Sequence, residues 1–210
     1  DVISTKKKLN YNKAQTIGIS KSNIEFFNKN ILNIEKLLWD INKIEIFSEN
    51  LDNKKILDFK NNNQRLFSII KNYRLYDLLF SSLIKNKYFK FKNKFVHKNY
   101  GLVINCDSNN SITKKFFFIK FDKEYDSYAH TTLIEHKNFN NNHIASQIFT
   151  KRGPLAFLPI SEKLTSIVYS VKGKKDIDLE NLIRKYNFKY NIVRIQKGFS
   201  FKLKFSTLRS

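Results

Sequence analysis

A carboxylate and a polar turn follow one of the most apolar stretches of this chain. The stretch Leu102–Cys106 predicts a buried strand, and the sequence Asp107-Ser108-Asn109-Asn110-Ser111 comes directly after it. Open α/β sheets bind nucleotides at the carboxyl ends of their strands, so Asp107 is a candidate nucleotide ligand. The competing interpretation is an Asx turn that caps the next helix, and on these residues alone it is the favoured one.

The other residues that could carry chemistry form no complete active site. The four histidines, His97, His130, His136 and His143, lack the close spacing of a metal-binding pair, so we predict no metal site and expect them on strands or at turns. The single cysteine, Cys106, excludes a disulfide framework and a cysteine-based zinc cluster. The sequence contains no Gly-x-Ser-x-Gly, no P-loop and no Gly-x-Gly-x-x-Gly.

The net charge of +21 raises the question of a nucleic-acid partner. Lysine supplies most of this charge and is spread through every segment together with abundant Asn, Ile and Phe, as an AT-rich coding bias would produce. Arginine, which base readout and bidentate phosphate contacts favour, is scarce. We therefore predict a solvated lysine coat and no nucleic-acid partner, with attraction to anionic lipid as the more plausible use of the charge.

Length and composition predict a globular chain. With 210 residues, 41% of them hydrophobic, the chain can bury one good core or two small ones. It shows no apolar run of the roughly 20 residues that a spanning helix needs, and no signal peptide. The expected location is the cytoplasm, with peripheral attachment to the inner face of the cytoplasmic membrane left open. Because the sequence lacks methionine, we expect it to begin partway through a longer protein.

Hydrophobic periodicity predicts an α+β fold with a mostly antiparallel sheet. The predicted helices are 23–30, with Ser22 as N-cap and Ile24, Phe26 and Phe27 facing inward, then 34–39, 72–85 and 176–186, the last with Asp176 as N-cap. The predicted strands are 43–47, 55–59, 65–70, 102–106, 125–136, 143–150 and 197–205, together with a half-buried strand in 86–100 and a turn at 138–142.

The segment 153–171 contains both prolines of the chain, Pro154 and Pro159, which bracket a short apolar run. Ser161-Glu162-Lys163 is a polar turn, and Ser166 to Val171 alternates in a β-branched and aromatic pattern. These features indicate a β-hairpin with one buried face. The sequence Gly-Pro-Leu-Ala-Phe-Leu-Pro-Ile-Ser resembles the GPLAFLPLS…SIVW signature of the flavin-dependent aromatic hydroxylases of ubiquinone biosynthesis. These enzymes are relatives of para-hydroxybenzoate hydroxylase.

Other segments resemble the same family in the same order. Residues 14–20 resemble its D-x-R-x-x-A-L-S segment, 34–40 its LGLWD, and 68–75 its yvveN…L…L. Residues 102–114 resemble LVVGADGANSxVR, and 125–149 the Y-x-Q-x-A…A-x-Q-x-F strands. The chain departs from the family pattern at four positions. Lys13 stands where the family has an aspartate, Gln15 and Lys114 where it has arginines, and Ser108 where it has a glycine. The N-terminal glycine-rich motif and the later Gly-Asp motif are absent, so the resemblance implies either a central fragment of such an enzyme or a degenerate copy of it.

The resemblance implies a partial α/β FAD-binding domain, 1–42 and 71–118, and a substrate-binding sheet, 43–70 and 119–210. It implies FAD as cofactor, NAD(P)H or another electron donor, and O₂ and a polyprenyl-phenol as substrates, with membrane or biosynthetic-complex association left open. The FAD contacts would be Asp107, Asn72, Ser108 and Gln15. The substrate contacts would be Ala145, Gln147, Phe149, Pro154, Ala156 and Leu158.

Two other classes of function stay open at this point. A lipid- or quinone-binding protein without enzymatic activity would share the sheet but lack flavin. A basic nucleic-acid-binding module would use the lysines and the aromatic residues of 86–100, and its affinity would fall steeply with salt.

Overall fold

The architecture is given by a computed structural model, which describes residues 1–3, 13–60, 64–93, 96, 100–107, 110–117, 119–173 and 176–209. Within these residues the helices are α1 (Lys21–Asn30), α2 (Asn72–Ile84), α3 (Ser111–Phe116) and α4 (Leu179–Tyr186), with short 3₁₀ helices at Glu35–Leu37 and Glu49–Leu51. The strands are β1 (Val2–Ile3), β2 (Thr16–Ser20), β3 (Leu38–Ile41), β4 (Lys43–Ser48), β5 (Lys54–Lys60), β6 (Phe67–Lys71), β7 (Phe91–Lys92), β8 (Ile119–His136), β9 (Ile144–Thr150), β10 (Gly153–Pro159), β11 (Leu164–Lys172), β12 (Ile192–Ile195) and β13 (Phe199–Arg209).

A sheet of eight strands forms the larger part of the fold. Its order is β12-β8-β11-β10-β9-β4-β5, and β13 pairs with β8 as well. All of these pairings are antiparallel except β4 with β9. The chain is thus a mixed, strand-rich fold with few helices, and the predicted strands in 43–59, 125–150 and 155–171 and the hairpin that ends them are confirmed.

One face of this sheet is buried under α4. Ile148, Leu155, Phe157 and Ile167 are nearly inaccessible and join one cluster with Ile183 of α4. These positions alternate with less buried ones along β9 and β10, as expected for strands with one face in a core. On the other face, Ala145 and Leu158 pack against Ile41 of β3 and Ile69 of β6.

The second sheet has three antiparallel strands in the order β2-β6-β3. Its outer side is covered by α1 and α2, which close a small core around Ile19, Ile24, Ile34 and Ile70. The predicted strand 65–70 therefore exists, as β6, but it does not belong to the large sheet in which the range 43–70 placed it. Local periodicity gives a strand its type and does not give its partners.

Several local predictions were wrong. The predicted helix 34–39 is a single 3₁₀ turn followed by β3, because pairing with β6 buries Ile41. Phe26 of α1 is 57% exposed and does not face the core. The N-cap of α1 is Ser20, two residues before the predicted Ser22. The N-cap of α4 is Asp178, two residues after the predicted Asp176.

The predicted buried strand 102–106 was also wrong. The segment is irregular, and Leu102 and Ile104 are each 78% exposed. The Asn105 side chain instead donates to the Thr113 hydroxyl of α3 and accepts from the Asn110 amide, and such local side-chain bonds compete with strand pairing. Of the predicted strand in 86–100, only β7 forms; it is exposed and pairs in parallel with β1, while positions 94–95 and 97–99 lie outside the described residues.

Among the described residues, no helix combines the length and the apolar character needed to cross a bilayer.

Candidate functional site

The six residues expected to contact a substrate lie together on one face of the large sheet. Ala145, Gln147 and Phe149 occupy alternate positions of β9, and Pro154, Ala156 and Leu158 occupy alternate positions of β10. In the register of the two strands, Pro154 is opposite Phe149 and Ala156 is opposite Gln147. Directly opposed residues point to the same side of an antiparallel pair, so the six side chains form one continuous surface.

The three-stranded sheet covers one end of this surface. Ala145 and Leu158 belong to a cluster with Ile41 of β3 and Ile69 of β6. At the same junction the hydroxyls of Thr16 and Ser166 lie 3.2 Å apart. The cover stops there, because Gln147 and Ala156 are half-buried and Phe149 is 45% exposed. The surface therefore runs from an enclosed end to an open one.

A cleft of about 140 Å³ lies beside the small sheet, where the 35–37 turn, β6, α2 and the segment after β10 meet. Its walls combine the apolar side chains of Leu37, Ile69 and Ile160 with the cationic side chains of Lys36, Lys71 and Arg74. None of the ion pairs seen among the described residues involves these three cations. The cleft is therefore suited to a molecule that combines an apolar body with negative charge.

The electrostatics of the cleft also act on Tyr73. Arg74 donates a hydrogen bond from Nε to the Tyr73 hydroxyl at 3.3 Å, and this bond lowers the pKa of Tyr73, with further lowering by the positive charges of Lys71 and Lys13. Sequence reasoning missed Lys36, Lys71 and Arg74 as site residues. In a chain with 39 lysines and arginines, no local pattern marks the three that converge.

Two of the residues expected at the flavin meet beside this cleft. The Asn72 backbone N–H donates to the backbone oxygen of Gln15 at 3.1 Å, which fixes the start of α2 against the start of β2. Asn72 directly follows Lys71, which lines the cleft. Ile70 pairs with Leu38, the residue after Leu37, which also lines the cleft. The contact between Gln15 and Asn72 is therefore at the same end of the small sheet as the cleft. The structure thus brings Gln15, Asn72 and the cationic cleft together.

Asp107 lies on an exposed irregular segment and is not one of the residues that line the cleft. Its backbone oxygen accepts a hydrogen bond of 2.5 Å from the Thr113 hydroxyl, and its N–H donates to Asn105 Oδ1 at 3.3 Å. Asn110 caps α3 by accepting from the Thr113 N–H at 2.8 Å. Within the described residues the cap of α3 is thus provided by Asn110 and not by Asp107. Ser108 lies outside the described residues.

The described histidines hold structural positions. His136 is buried on β8 with Nε2 3.0 Å from Thr165 Oγ1 and Nδ1 2.9 Å from Lys137 O, and burial lowers its pKa. His143 stacks on Trp39 with ring centroids 4.8 Å apart. His130 is buried on β8, while His97 is outside the described residues. Within the described part of the chain no three His, Cys, Asp or Glu side chains are grouped as metal ligands.

The fold is that of FAD-dependent monooxygenases. The chain is similar to HpxO of Klebsiella pneumoniae, solved with FAD and uric acid, at 8% identity and a TM-score of 0.66 over 97% of this chain and 61% of that one. It is similar to CtdE, solved with FAD and a substrate, at 12% identity and a TM-score of 0.65 over 97% and 63%. It is also similar to 2,6-dihydroxypyridine-3-hydroxylase of Arthrobacter nicotinovorans, at 10% identity and a TM-score of 0.59 over 87% and 52%.

At these identities the likeness is one of fold. The chain spans less than two thirds of the length of each of these three proteins. No family model matches the sequence, and neither does any curated protein.

Proposed function

We propose that this chain forms the substrate sheet and part of the flavin site of an FAD-dependent monooxygenase that hydroxylates the aromatic ring of a polyprenyl-phenol in ubiquinone biosynthesis. The observation that carries the proposal is the shared face of Ala145, Gln147, Phe149, Pro154, Ala156 and Leu158. That face ends at the junction with the small sheet, which bears Gln15, Asn72 and the cationic cleft.

The residues at the junction fit part of a flavin nucleotide, since the cleft of about 140 Å³ is smaller than FAD. FAD combines an apolar ring system with a negatively charged pyrophosphate, and the cleft combines apolar walls with Lys36, Lys71 and Arg74. Asn72 and Gln15 would hold the cofactor at this position, with Asp107 and Ser108 as further contacts from the 71–118 segment. Reduced FAD would supply the activation of O₂, with NAD(P)H or another donor as the source of electrons.

The protein's own contribution would be to position the ring and keep water away from it. Ala156 and Gln147 form the middle of the surface, and Ala145 and Leu158 lie where the small sheet closes over it. The exposed Phe149 and the neighbouring Pro154 would receive the prenyl tail at the open end. In this scheme the FAD-binding part consists of residues 1–42 and 71–118, and the substrate-binding part consists of residues 43–70 and 119–210. Strand β6 is assigned to the FAD-binding part, because it belongs to the small sheet.

A binding experiment tests the surface. The chain is titrated calorimetrically with a short-chain prenyl-phenol in detergent, and Ala156→Trp, which fills the middle of the surface, is compared with Val193→Trp. Val193 lies on β12 and is 68% exposed, so it serves as the control. We expect Ala156→Trp to weaken binding by at least about ten-fold, since the added indole occupies the ring position. Equal affinities for the two variants would contradict the proposed surface.

A second measurement tests the reaction. The chain, alone and in its complete reading frame, is supplied with FAD, NAD(P)H, the prenyl-phenol and isotopically labelled O₂. Labelled oxygen in the recovered ring supports the monooxygenase. Prenyl-phenol binding without labelled product in either form would leave the lipid- or quinone-binding alternative and overturn the enzymatic proposal.

A further inference from the structure

Beyond the large sheet, β8 and β13 continue together as a two-stranded ribbon. Residues 119–124 of β8 pair with residues 204–209 of β13, from Ile119 opposite Arg209 to Glu124 opposite Lys204. Within the described residues, β11 pairs with β8 only from Ser127 onward. We call 119–124 with 204–209 the ribbon; it lies outside the strands that form the candidate substrate surface.

The ribbon has one apolar face and one polar face. Residues at alternate positions share a face, as do directly opposed residues. By this register the first face carries Ile119, Phe121, Lys123, Phe205, Thr207 and Arg209. The second carries Lys120, Asp122, Glu124, Lys204, Ser206 and Leu208.

Both carboxylates of the ribbon lie on the second face, where they are neutralised. Lys120 Nζ lies 2.9 Å from Asp122 Oδ2, and the Ser206 hydroxyl donates to Asp122 Oδ1 at 2.5 Å. Lys202 Nζ donates to Glu124 Oε2 at 2.5 Å. The charged residues of the first face are the cations Lys123 and Arg209. The second face thus carries as many cations as carboxylates, whereas the first face combines exposed apolar side chains with cations only.

The apolar side chains of the first face are well exposed. Ile119 is 51%, Phe121 55% and Phe205 46% exposed. Large apolar side chains that cluster at the surface usually mark an interaction site. On this ribbon they are bordered by cations alone.

We propose that the first face of the ribbon docks on a membrane surface that contains anionic lipid. An apolar strip edged by Lys or Arg is the chemistry of interfacial elements, in which the apolar side chains enter the headgroup boundary and the cations meet lipid phosphates. A second copy of the chain fits less well, because self-association of this face would bring its cations together in a chain of net charge +21. The proposal is independent of the hydroxylase function, since it requires neither flavin nor substrate.

Vesicle flotation tests the proposal. The full chain is mixed with vesicles of phosphatidylcholine alone, or of phosphatidylcholine with phosphatidylglycerol, without flavin or substrate. We expect binding to the anionic vesicles that weakens with salt. The double variant Phe121→Gln and Phe205→Gln should bind at least about ten-fold more weakly, because half-exposed aromatic side chains supply the apolar contact. Phe59→Gln is the matched control, because Phe59 lies on β5 at the other edge of the sheet and is 47% exposed.

A charge variant completes the test with the aromatic side chains intact. Lys123→Gln should lower the affinity for anionic vesicles about five-fold and leave the affinity for neutral ones unchanged. Circular dichroism and melting temperature check that the variants fold. Three results would overturn the proposal: equal binding to both kinds of vesicle, anionic-vesicle binding that the double variant retains, or a dimer in solution that Phe121→Gln and Phe205→Gln abolish.

Discussion

Trp39 of the small sheet donates a hydrogen bond from Nε1 to the backbone oxygen of Asn142 at 2.8 Å. Asn142 lies in the turn between β8 and β9 and is fully buried. Its side chain donates to Ser161 O at 2.8 Å and accepts from the Tyr190 hydroxyl at 2.9 Å. A single asparagine therefore joins the small sheet, the β10–β11 turn and the segment after α4.

Asn142→Ala should lower the free energy of unfolding by about 2–4 kcal/mol. The substitution removes one of the partners of the buried Tyr190 hydroxyl and the Asn142 partner of the half-buried Ser161 carbonyl, and each polar group left unsatisfied costs about 1–3 kcal/mol. Urea denaturation measures the change. Asn138→Ala, at an exposed position of the same turn, is the control and should change stability little. Similar losses for the two variants would show that the buried network is not the cause.

Gly153→Ala should cost on the order of 3 kcal/mol or more. Gly153 has φ +146°, and a Cβ at this position would lie 1.9 Å from the backbone oxygen of Ser170. The clash is with a central strand, so it cannot be relieved by a side-chain rotation. Gly101→Ala is the matched control, because a Cβ there would meet nothing within 4 Å. Equal melting temperatures for the two variants would refute this explanation.

Acid should destabilise the protein through Glu49. Its carboxylate accepts from the Lys151 backbone N–H at 2.8 Å, and this bond, with those from Tyr186 and Lys185, lowers the pKa of Glu49 to about 2. Because the folded-state pKa lies below the ordinary value of 4.5, the contribution of Glu49 is complete above that pH and is lost as the pH falls toward 2.

Urea midpoints measured across that pH range check the effect. Glu49→Gln should flatten the acid limb of the stability curve, whereas Glu25→Gln, at an exposed position of α1, should leave it unchanged. An unaltered acid limb in Glu49→Gln would assign the pH dependence to other carboxylates.

The 210-residue chain by itself should bind FAD weakly. A dinucleotide pyrophosphate is normally held by a glycine-rich turn at a helix N-terminus, and this sequence contains no Gly-x-Gly-x-x-Gly. Quenching of flavin fluorescence measures the affinity, and we expect no saturation at equimolar FAD. Stoichiometric binding would show that the cleft with Lys71 and Arg74 holds the cofactor unaided.

The large sheet could be predicted because its signals are local. Alternation from Ser166 to Val171 and the polar turn at Glu162 fix a hairpin whichever strands lie beside it. Gln147 and Ala156, which the resemblance implies as substrate contacts, lie directly opposite each other in the observed register, a pairing that the sequence did not predict. The sequence did not predict which strands pair with each other. The sheet to which β6 belongs, for example, depends on its pairing with β2 and β3.

The site was predicted less completely for the same reason. Leu102–Cys106 has the composition of a buried strand, but composition does not supply a neighbouring strand, and the segment is exposed. The cationic residues of the cleft, Lys36, Lys71 and Arg74, come from two separate segments of the chain. Because lysine is abundant throughout the sequence, these three positions could not be distinguished from the others. Convergence of charge is a tertiary property, so no window of sequence contains it.

The parallel pairing of β4 with β9 has a consequence for how the chain folds. Lys43 lies opposite Ile144, so this contact joins positions about 100 residues apart, whereas β9, β10 and β11 are linked by short turns. Contacts between distant residues form slowly because the intervening chain must first be closed into a loop. We therefore expect the β9–β10–β11 meander to form first and the β4–β5 hairpin to add late. The surface that carries Ala145 and Gln147 would then acquire its neighbouring strand only near the end of folding.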